Sequence, residues 1–309
     1  MESNDVLIIG SGPAGLTAAI YTSRAFLKTT VIGGRVSGGQ LMITTEVENY
    51  PGFPRGIMGP ELISNMREQA TTFGTDFVDE DVVSISGNSA SGFSIQTDES
   101  KTFIAKSIII ATGATANWLN LPNEQRLIGK GVSACATCDG FFFKNKVVVV
   151  VGGGDTAMEE ATFLTNFASR VFILVRGEKE KLRASKIMQE KAFSNPKIEF
   201  LYNSSVVDVL GEEVLSGVII KNTLTDEIST LECQGLFVAI GHSPATKFLN
   251  GIVELDDKGY LKVVDGTKTS KDGVFSAGDV QDYRYRQAVT AAGMGCMAAL
   301  DAQKYLQGH

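Results

Sequence analysis

Short apolar runs that end in glycine clusters are the most regular feature of the chain. The run at 6–9 leads into Gly10-Ser-Gly-Pro-Ala-Gly15, and five valines at 147–151 lead into Gly152-Gly-Gly-Asp-Thr-Ala157. Each cluster is followed by a stretch with helical spacing and then by a second β-branched run. This order predicts the same unit twice: a strand, a glycine turn, a helix and a parallel strand.

The spacing of the other apolar residues predicts the remaining elements. Helices are expected at about 16–26, 59–73 and 158–168, and a long helix is expected to end near Leu306. Stretches of alternating polarity predict short strands between 82 and 110. Strands and helices that alternate in this way are typical of α/β proteins with parallel sheets.

The length of 309 residues corresponds to about two domains. The second repeat lies between segments that belong with the first, so we predict that residues 115–244 form a domain inserted between 1–114 and 245–309. The predicted fold is α/β, with two Rossmann-like domains of three layers that each bind a dinucleotide.

Charge and apolar content exclude several classes of protein. The net charge of −7 argues against a nucleic-acid partner and against an anionic membrane surface. No apolar stretch approaches the roughly 18 residues of a membrane span, and the first residues carry no signal-peptide pattern. We therefore expect a cytoplasmic protein whose partners are proteins or small molecules.

Glycines at a strand end allow backbone N–H groups at the start of the next helix to approach a pyrophosphate. The two triplets with suitable spacing are Gly10, Gly12, Gly15 and Gly152, Gly154, Ala157. Glycine is also abundant, since 33 of 309 residues is about 11% against an average of about 7%. Both observations favour two dinucleotide sites.

The residues after the second strand of each unit differ. The first strand ends at Ile32-Gly-Gly-Arg35, without the acidic residue that commonly binds a ribose hydroxyl. The other ends at Arg176, and Lys179, Lys181 and Arg183 follow. Arginine can bind a 2′-phosphate through two hydrogen bonds, which favours NADPH over NADH. A solvated basic turn is the alternative.

Cys135 and Cys138 form a C-x-x-C pair before the second glycine cluster. Two sulfurs at this spacing can close an easily reduced disulfide, and an inert buried pair is the alternative. The chain has only two histidines and no second C-x-x-C, so we predict no metal site. Asp139 is a candidate proton donor to a departing thiolate, or else a turn residue.

The other two cysteines and one histidine receive no chemical role. Cys233 and Cys296 lie among apolar residues and are expected in the core. His242 is expected in a turn, and a position facing a cofactor is the alternative.

Several blocks together resemble the low-molecular-weight thioredoxin reductases, over nearly the whole chain. They are Gly10-Ser-Gly-Pro-Ala-Gly15, residues 39–41 and 44–52, Ser133-Ala-Cys-Ala-Thr-Cys-Asp-Gly140, Gly152-Gly-Gly-Asp-Thr-Ala157, Ala239-Ile-Gly-His-Ser-Pro244, Gly278-Asp-Val280 and Tyr285-Arg-Gln-Ala288. The cysteine block and the last two blocks are the specific ones, because many flavoproteins share the glycine clusters.

The resemblance implies a homodimer with FAD in the domain at 1–114 and 245–309 and NADPH in the domain at 115–244. The residues implied for FAD are Gly10, Ser11, Gly12, Pro13, Ala14, Gly15, Gly39, Gln40, Leu41, Asn49, Val83, Ala111, Gly113, Gly278, Asp279, Arg286, Gln287 and Ala288. Those implied for NADPH are Gly152, Gly154, Asp155, Thr156, Ala157, Arg176 and Arg183.

The resemblance also implies roles around the cysteines. Cys138 would lie against the flavin, Cys135 would attack the disulfide of thioredoxin, and Asp139 would be the general acid. One block departs from the family, whose basic cluster is His-Arg-Arg followed by Arg. Here the stretch is Val175-Arg176-Gly177, with a longer loop before Arg183.

The sequence thus predicts an NADPH-dependent thioredoxin-disulfide reductase. Electrons would pass from NADPH through FAD and the Cys135–Cys138 disulfide to thioredoxin, and the inserted domain would rotate about crossings near 114 and 245 during turnover. Two alternatives remain open. One is a flavin-dependent dithiol oxidase on the same scaffold, and the other is a non-catalytic, flavin-bound redox sensor.

Overall fold

The computed structural model describes residues 3–44 and 46–308. The chain divides into two compact units. The flanking unit comprises Met1–Thr115 and His242–His309, and the inserted unit comprises Ala116–Gly241. Each unit is built around its own sheet, with parallel strands at its centre.

Helices and strands alternate at the start of each unit, and runs of consecutive strands follow. Up to the first boundary they are β1 (Ser3–Ile9), α1 (Pro13–Arg24), β2 (Thr29–Ile32), β3 (Glu46–Val47), β4 (Ile57–Met58), α2 (Gly59–Thr72), β5 (Asp76–Val78), β6 (Val82–Asn88), β7 (Gly92–Thr97), β8 (Thr102–Ile110) and β9 (Ala114–Ala116). In the inserted unit they are α3 (Glu124–Leu127), β10 (Val132–Ser133), α4 (Ala136–Asp139), β11 (Val147–Val151), α5 (Asp155–Leu164), β12 (Arg170–Leu174), α6 (Lys186–Phe193), β13 (Ile198–Leu201), β14 (Ser204–Leu210), β15 (Gly217–Asn222), β16 (Ile228–Glu232) and β17 (Gly235–Val238). Then follow β18 (His242–Pro244), β19 (Val274–Ser276) and α7 (Ala288–Leu306). Short 3-10 helices lie at Gly39–Ile43, Gly140–Phe143, Lys179–Lys181 and Lys247–Leu249.

The main sheet of the flanking unit has the strand order β5-β2-β1-β8-β7-β6. One half of β8 pairs antiparallel with β7, and its other half pairs parallel with β19. Ile9 of β1 lies opposite Ile32 of β2 and Ile110 of β8, so these parallel strands end at one edge. The segments that follow them therefore meet at that edge, as in other open α/β sheets.

Alternation along β1 sends its side chains into two cores, because successive residues of a strand face opposite sides of the sheet. Val6 and Ile8 pack with α1 and α7, whereas Leu7 and Ile9 pack with Phe93 and the residues on the other face. All of these side chains are almost fully buried. The sheet is thus covered on both faces, as its parallel centre requires.

The inserted unit has a parallel sheet of order β10-β17-β11-β12-β13. Its central strand is the run of five valines, a residue type that favours strands. Val151 lies opposite Leu174 and Val238, so β11, β12 and β17 also end together. A separate antiparallel sheet, β14-β15-β16, completes the unit.

Two predicted helices begin earlier than expected. α1 begins at Pro13 and α5 at Asp155, because the extended Gly12 and Gly154 let each helix start directly after its glycine turn. Proline suits the first helical turn, where its missing N–H costs no hydrogen bond. α1 also ends at Arg24, since Phe26 has a positive φ of 59° that a right-handed helix cannot include.

A glycine on α7 allows this helix to approach α1 closely. An added Cβ at Gly295 would collide with the carbonyl oxygen of Ala14, whereas an added Cβ at Gly293 on the same helix meets no atom within 4 Å. The two glycines therefore form a matched pair for mutation.

We expect Gly295→Ala to lower the free energy of unfolding by about 1–3 kcal/mol, because the new methyl group overpacks the α1 and α7 contact. Gly293→Ala should leave it unchanged or raise it by up to ~1 kcal/mol through helix propensity. Urea unfolding of the two purified variants measures both changes. Equal effects would contradict this account of the packing.

Candidate functional site

The first glycine turn lies where β1 ends and α1 begins. Gly10 has a φ of 110° and its backbone packs on Ala111 at the end of β8, so that a Cβ would collide with Ala111. A Cβ at Gly15 would collide with the carbonyl oxygen of Gly10. Glycine at these two positions thus sets the tight strand-to-helix turn.

Gly12 differs from the other two glycines of this turn. An added Cβ at Gly12 meets nothing within 4 Å, and Gly12 is the N-cap of α1 without a side-chain capping hydrogen bond. The start of α1 therefore faces open space with its first N–H groups available, and Pro13 and Ala14 occupy its first turn. This is the geometry of an anion site at a helix N-terminus.

The Ser11 hydroxyl ties this turn to the segment after β2. It donates to the carbonyl oxygen of Gly33 at 2.9 Å and accepts from the N–H of Gly38 at 2.8 Å. Gly39 then lies beside the turn, since its added Cβ would be 3.6 Å from the Gly12 Cα. Gln40 and Leu41 follow in the 3-10 helix that Gly39 begins.

The segments after β8 and β19 complete the same edge. An added Cβ at Gly278 would lie 2.9 Å from the Ala14 Cβ, so the start of the 278–288 block packs on the first turn of α1. Gly113 lies beyond the end of β8, and its carbonyl oxygen accepts from the Ala245 N–H at 3.1 Å. These contacts bring the residues predicted for one dinucleotide to one place.

Asp279 is a partly buried carboxyl at this edge. Burial and the nearby Asp282 raise its pKa to about 7, against the opposing effect of Arg286. Asp279 therefore carries a proton below about pH 7 and can donate a hydrogen bond there. Burial, together with the neighbouring Arg286, whose side chain contacts the His242 ring, lowers the pKa of His242 to about 4.

The remaining predicted residues of the flanking unit lie around this edge. Asn49 Nδ2 donates to Gln287 Oε1 at 3.3 Å, and Gln287 caps α7 just before Ala288. Val83 is half exposed on β6, two residues after Asp81, which accepts from the N–H of Arg35 at the end of β2. The fold thus brings together residues that are up to 238 positions apart in the sequence.

The second glycine turn repeats the first within the inserted unit. An added Cβ at Gly152 would lie 2.5 Å from the Ala239 carbonyl oxygen and 2.8 Å from the Ala157 Cβ. Gly154, the N-cap of α5, has open space around its added Cβ and no side-chain cap. Asp155 and Thr156 form the first turn of α5, and an Asp155 oxygen accepts from the Ser185 N–H at 2.7 Å.

The basic loop after β12 returns to this second turn. The N–H groups of Arg183 and Ala184 both donate to the Gly153 carbonyl oxygen, at 2.8 and 3.1 Å. The Arg176 carbonyl oxygen accepts from the Thr223 hydroxyl at 3.1 Å. Both arginine side chains are exposed, so the loop presents them to solvent beside the start of α5.

The two lysines of the loop have other neighbours. The Lys179 ammonium lies 4.6 Å from the centre of the Phe193 ring, and the Lys181 ammonium lies 3.9 Å from a Glu178 oxygen. Within 3–44 and 46–308, neither Arg176 nor Arg183 forms an ion pair with a carboxylate. The two arginines are therefore candidates for binding a phosphate.

Cys135 and Cys138 form a disulfide, with Cα atoms 5.3 Å apart. Cys135 is half-buried and is the N-cap of α4, whereas Cys138 is exposed on that helix. The Thr137 hydroxyl lies 3.3 Å from Cys135 Sγ. The hydroxyl is the donor in this contact, because a disulfide sulfur carries no proton. Phe141 and Phe142 follow as an exposed aromatic pair.

Asp139 lies next to the disulfide and is half-buried. Burial raises its pKa above the ordinary value, and Ser133 lowers it in part. The Ser133 hydroxyl accepts from the Cys135 N–H at 3.0 Å. The backbone of the half-buried cysteine is thus held by the serine that precedes the pair.

Sequence reasoning did not assign Ser133, Thr137 or the contact between His242 and Arg286. Both residues lie in the 133–140 block that contains C-x-x-C, and this was the only sequence signal that pointed to them. Their hydrogen-bond partners depend on side-chain direction, which the sequence does not give. The prediction for Cys233 is confirmed, because it is buried and desolvation raises the pKa of its thiol to about 12. The prediction for Cys296 is wrong, because this cysteine is only half-buried on α7.

Two kinds of feature are absent from the described part of the chain. In 3–44 and 46–308, no three or more His, Cys, Asp or Glu side chains are grouped as metal ligands would be. Over the same residues, no helix combines the length and apolar character that crossing a membrane requires.

Comparison with known proteins defines the class. The sequence pattern of the pyridine nucleotide-disulphide oxidoreductase family matches residues 4–295. A thioredoxin reductase of Streptomyces clavuligerus is 54% identical over 308 residues, which are 99% of this chain and 94% of that protein. One from Mycolicibacterium smegmatis is 53% identical and covers 98% of this chain and 96% of its own.

Solved structures give the same result. Thioredoxin reductase from Giardia duodenalis superposes with a TM-score of 0.93 at 44% identity and covers 99% of this chain and 100% of its own. That from Streptococcus pyogenes has a TM-score of 0.94 at 38% identity, with 99% of both chains covered. The chain therefore belongs to the pyridine nucleotide-disulphide oxidoreductase family and, within it, to the thioredoxin reductases. The predicted α/β fold with two Rossmann-like domains is confirmed.

The contact between Thr137 and Cys135 predicts a change in thiol reactivity. In a Cys138→Ser background, where Cys135 is reduced, we expect Thr137→Val to slow alkylation of Cys135 by iodoacetamide about fivefold, because the thiolate loses a hydrogen bond of ~1 kcal/mol. Thr137→Ser, which keeps the hydroxyl, should retain the rate. Mass spectrometry measures the alkylation rate of Cys135, with Cys233 and Cys296 of the same sample as internal references. Equal rates with valine and with threonine at position 137 would contradict the contact.

Proposed function

We propose that this chain is an NADPH-dependent thioredoxin reductase. Electrons pass from NADPH through FAD and the Cys135–Cys138 disulfide to the disulfide of thioredoxin. The observation that carries the proposal is a C-x-x-C disulfide in the same unit as a glycine turn suited to a dinucleotide. Thioredoxin reductases at 52–54% identity over at least 97% of the chain support it.

The residues at the edge of the flanking sheet fit FAD. The open space at Gly12 and the uncapped start of α1 suit a pyrophosphate, and the partly buried Asp279 suits a sugar or ribityl hydroxyl. We assign FAD to Gly10, Ser11, Gly12, Pro13, Ala14, Gly15, Gly39, Gln40, Leu41, Asn49, Val83, Ala111, Gly113, Gly278, Asp279, Arg286, Gln287 and Ala288. FAD, when bound, accepts a hydride and passes two electrons to a disulfide.

The residues at the start of α5 fit NADPH. The open space at Gly154 suits the pyrophosphate, and the exposed Arg176 and Arg183 suit the 2′-phosphate. We assign NADPH to Gly152, Gly154, Asp155, Thr156, Ala157, Arg176 and Arg183.

The cysteines and Asp139 perform the exchange with thioredoxin. The Cys135 thiolate attacks the thioredoxin disulfide and forms a mixed disulfide, and the Asp139 carboxyl gives its proton to the thioredoxin sulfur that leaves. The Cys138 thiolate then attacks Cys135, which restores the Cys135–Cys138 bond and releases thioredoxin with two reduced sulfurs. The exposed Phe141 and Phe142 beside the disulfide support a protein substrate, because exposed aromatic side chains are typical interface anchors.

Three further properties stay predictions, and of these only the homodimer comes from the resemblance. We propose that the protein works as a homodimer in the cytoplasm. The rotation of the inserted unit about the two crossings also stays a prediction.

Anaerobic mixing with NADPH tests the proposed function. We expect rapid bleaching of the flavin in the wild type and in Cys135→Ser, with reduction of thioredoxin abolished in the variant alone. Bleaching by NADPH would exclude the dithiol oxidase and the non-catalytic sensor. No bleaching by NADPH would contradict the reductase, and oxygen uptake driven by a dithiol would then support the oxidase.

The surroundings of the basic residues after β12 predict which side chains distinguish NADP⁺ from NAD⁺. These residues are Arg176, Lys179, Lys181 and Arg183. We expect Arg176→Ala to weaken NADP⁺ binding by about 10- to 100-fold, since a charge-assisted hydrogen bond contributes ~1.5–3 kcal/mol. NAD⁺, which lacks the 2′-phosphate, should be affected far less. Lys179→Ala is the matched control and should leave both affinities unchanged, because Lys179 lies against Phe193. Calorimetric titration measures all four values, and equal losses for NADP⁺ and NAD⁺ would contradict the role of Arg176.

A further inference from the structure

Two serine hydroxyls lie where a side chain at residue 33 would begin. β2 ends at Ile32, and Gly33 follows in place of the acidic residue that commonly binds a ribose hydroxyl in Rossmann units. An added Cβ at Gly33 would lie 3.0 Å from Ser11 Oγ and 3.3 Å from Ser37 Oγ. The chain therefore offers hydroxyls at the position of the missing carboxylate.

A hydroxyl has one proton to donate and two lone pairs to accept with, and only one of these two serines uses all three. Ser11 donates to the Gly33 carbonyl oxygen at 2.9 Å. It accepts from the Gly38 N–H at 2.8 Å and from the Ser37 hydroxyl at 3.2 Å. Ser37 donates to Ser11 and accepts from Arg67 Nη1 at 3.0 Å. Among the residues that the structure describes, the partly exposed Ser37 thus keeps one lone pair open.

Arg67 of α2 holds the Ser37 hydroxyl and is itself held from two sides. Its Nη1 donates to Asp79 Oδ1 at 3.0 Å and its Nη2 to Asp79 Oδ2 at 3.1 Å, the paired geometry that suits a guanidinium and a carboxylate. Its guanidinium carbon lies 4.3 Å from the centre of the Phe77 ring, where a cation is also attracted. The arginine is therefore placed to keep Ser37 in one orientation.

We propose that Ser37 binds the 2′-hydroxyl of the adenosine ribose of FAD in place of the missing acidic residue, and that Arg67 is the positioning residue for Ser37. The open lone pair of Ser37 accepts from the 2′-hydroxyl. Ribose and pyrophosphate are joined within FAD, so a hydroxyl bonded to Ser11 of the glycine turn suits the ribose. The inference rests on the proposed binding of FAD in the flanking unit.

A carboxylate also lies at the end of β2, on Asp81. Its Oδ1 accepts from the Arg35 N–H at 3.1 Å and would lie 3.2 Å from an added Cβ at Gly34. Within 3–44 and 46–308, no hydrogen bond joins Asp81 to the glycine turn, whereas one joins Ser37 to Ser11. The structure therefore favours Ser37, and mutation of each residue distinguishes the two.

Competition between FAD and an FAD analogue that carries 2′-deoxyadenosine tests the contact. The purified holoenzyme is equilibrated with an excess of both flavins in equal amounts and separated by gel filtration, and the bound flavins are counted by chromatography. We expect the wild type to prefer FAD by about three- to tenfold, as one hydrogen bond between neutral groups would give. Ser37→Ala should bring the ratio close to one.

Two further variants separate positioning from a general loss of structure. Arg67→Lys keeps the charge but lacks the fork that reaches Ser37 and both Asp79 oxygens, so the preference for FAD should fall. Ser91→Ala removes a hydroxyl in the turn between β6 and β7, which donates to Asn88 Oδ1 at 3.2 Å, and should leave the ratio unchanged. The ratio is measured on flavin-bound protein, so a lower yield of folded protein does not alter it.

The outcomes distinguish this inference from the proposed function. If the purified protein binds no FAD, the FAD assignment and the role of Ser37 fail together. If FAD is bound and thioredoxin is reduced, but the wild-type ratio is one, the reductase stands and the role of Ser37 is overturned. The wild-type ratio needs no variant, so this outcome does not depend on how Ser37→Ala folds.

The variants decide between the candidate ligands. Loss of the preference in Asp81→Asn, with the preference kept in Ser37→Ala, overturns the inference and assigns the ribose to Asp81. A ratio that falls in Ser37→Ala and Arg67→Lys but not in Ser91→Ala supports it. An unchanged ratio in Arg67→Lys overturns the positioning role of the arginine.

Discussion

The absence of a Cβ at a few strand ends is the constraint on which the rest of the structure depends. At Gly10 and Gly152 the backbone passes so close to the neighbouring strand end that no side chain fits. At Gly12 and Gly154 the missing side chain leaves open space in front of a helix start. The first pair allows each tight turn to form, and the second leaves N–H groups accessible to a phosphate. Packing and binding thus require glycine for different reasons at neighbouring positions.

The same constraint explains which parts of the molecule were predictable from sequence. Strand, glycine turn and helix are adjacent in the chain, so their order alone predicted both Rossmann-like units and the two dinucleotide turns. The starts of α1 and α5 were wrong by about three residues, because helical spacing of apolar residues does not report where an N-cap glycine lies. Cys296 was misplaced for a related reason, since apolar neighbours in sequence do not show which residues of α7 remain partly exposed.

Side-chain partners could not be predicted in the same way. The basic residues after β12 looked alike in sequence and are all exposed, but the fold places Lys179 against Phe193 and Lys181 near Glu178, whereas neither arginine pairs with a carboxylate of the described residues. Ser133 showed no signal of its own, because its hydrogen bond from the Cys135 N–H forms only when β10 and α4 are in place. The chemistry of the site is thus set by local side-chain geometry on a scaffold that the sequence pattern already indicates.

The central claim is that electrons from NADPH open the Cys135–Cys138 disulfide, and a count of thiols tests it most directly. The protein contains four cysteines, of which Cys233 and Cys296 are free. After anaerobic addition of a small excess of NADPH, without thioredoxin, followed by acid quenching and denaturation, the account predicts that the number of titratable thiols per chain rises from two to four. A flavin that bleaches while the count stays at two would contradict it.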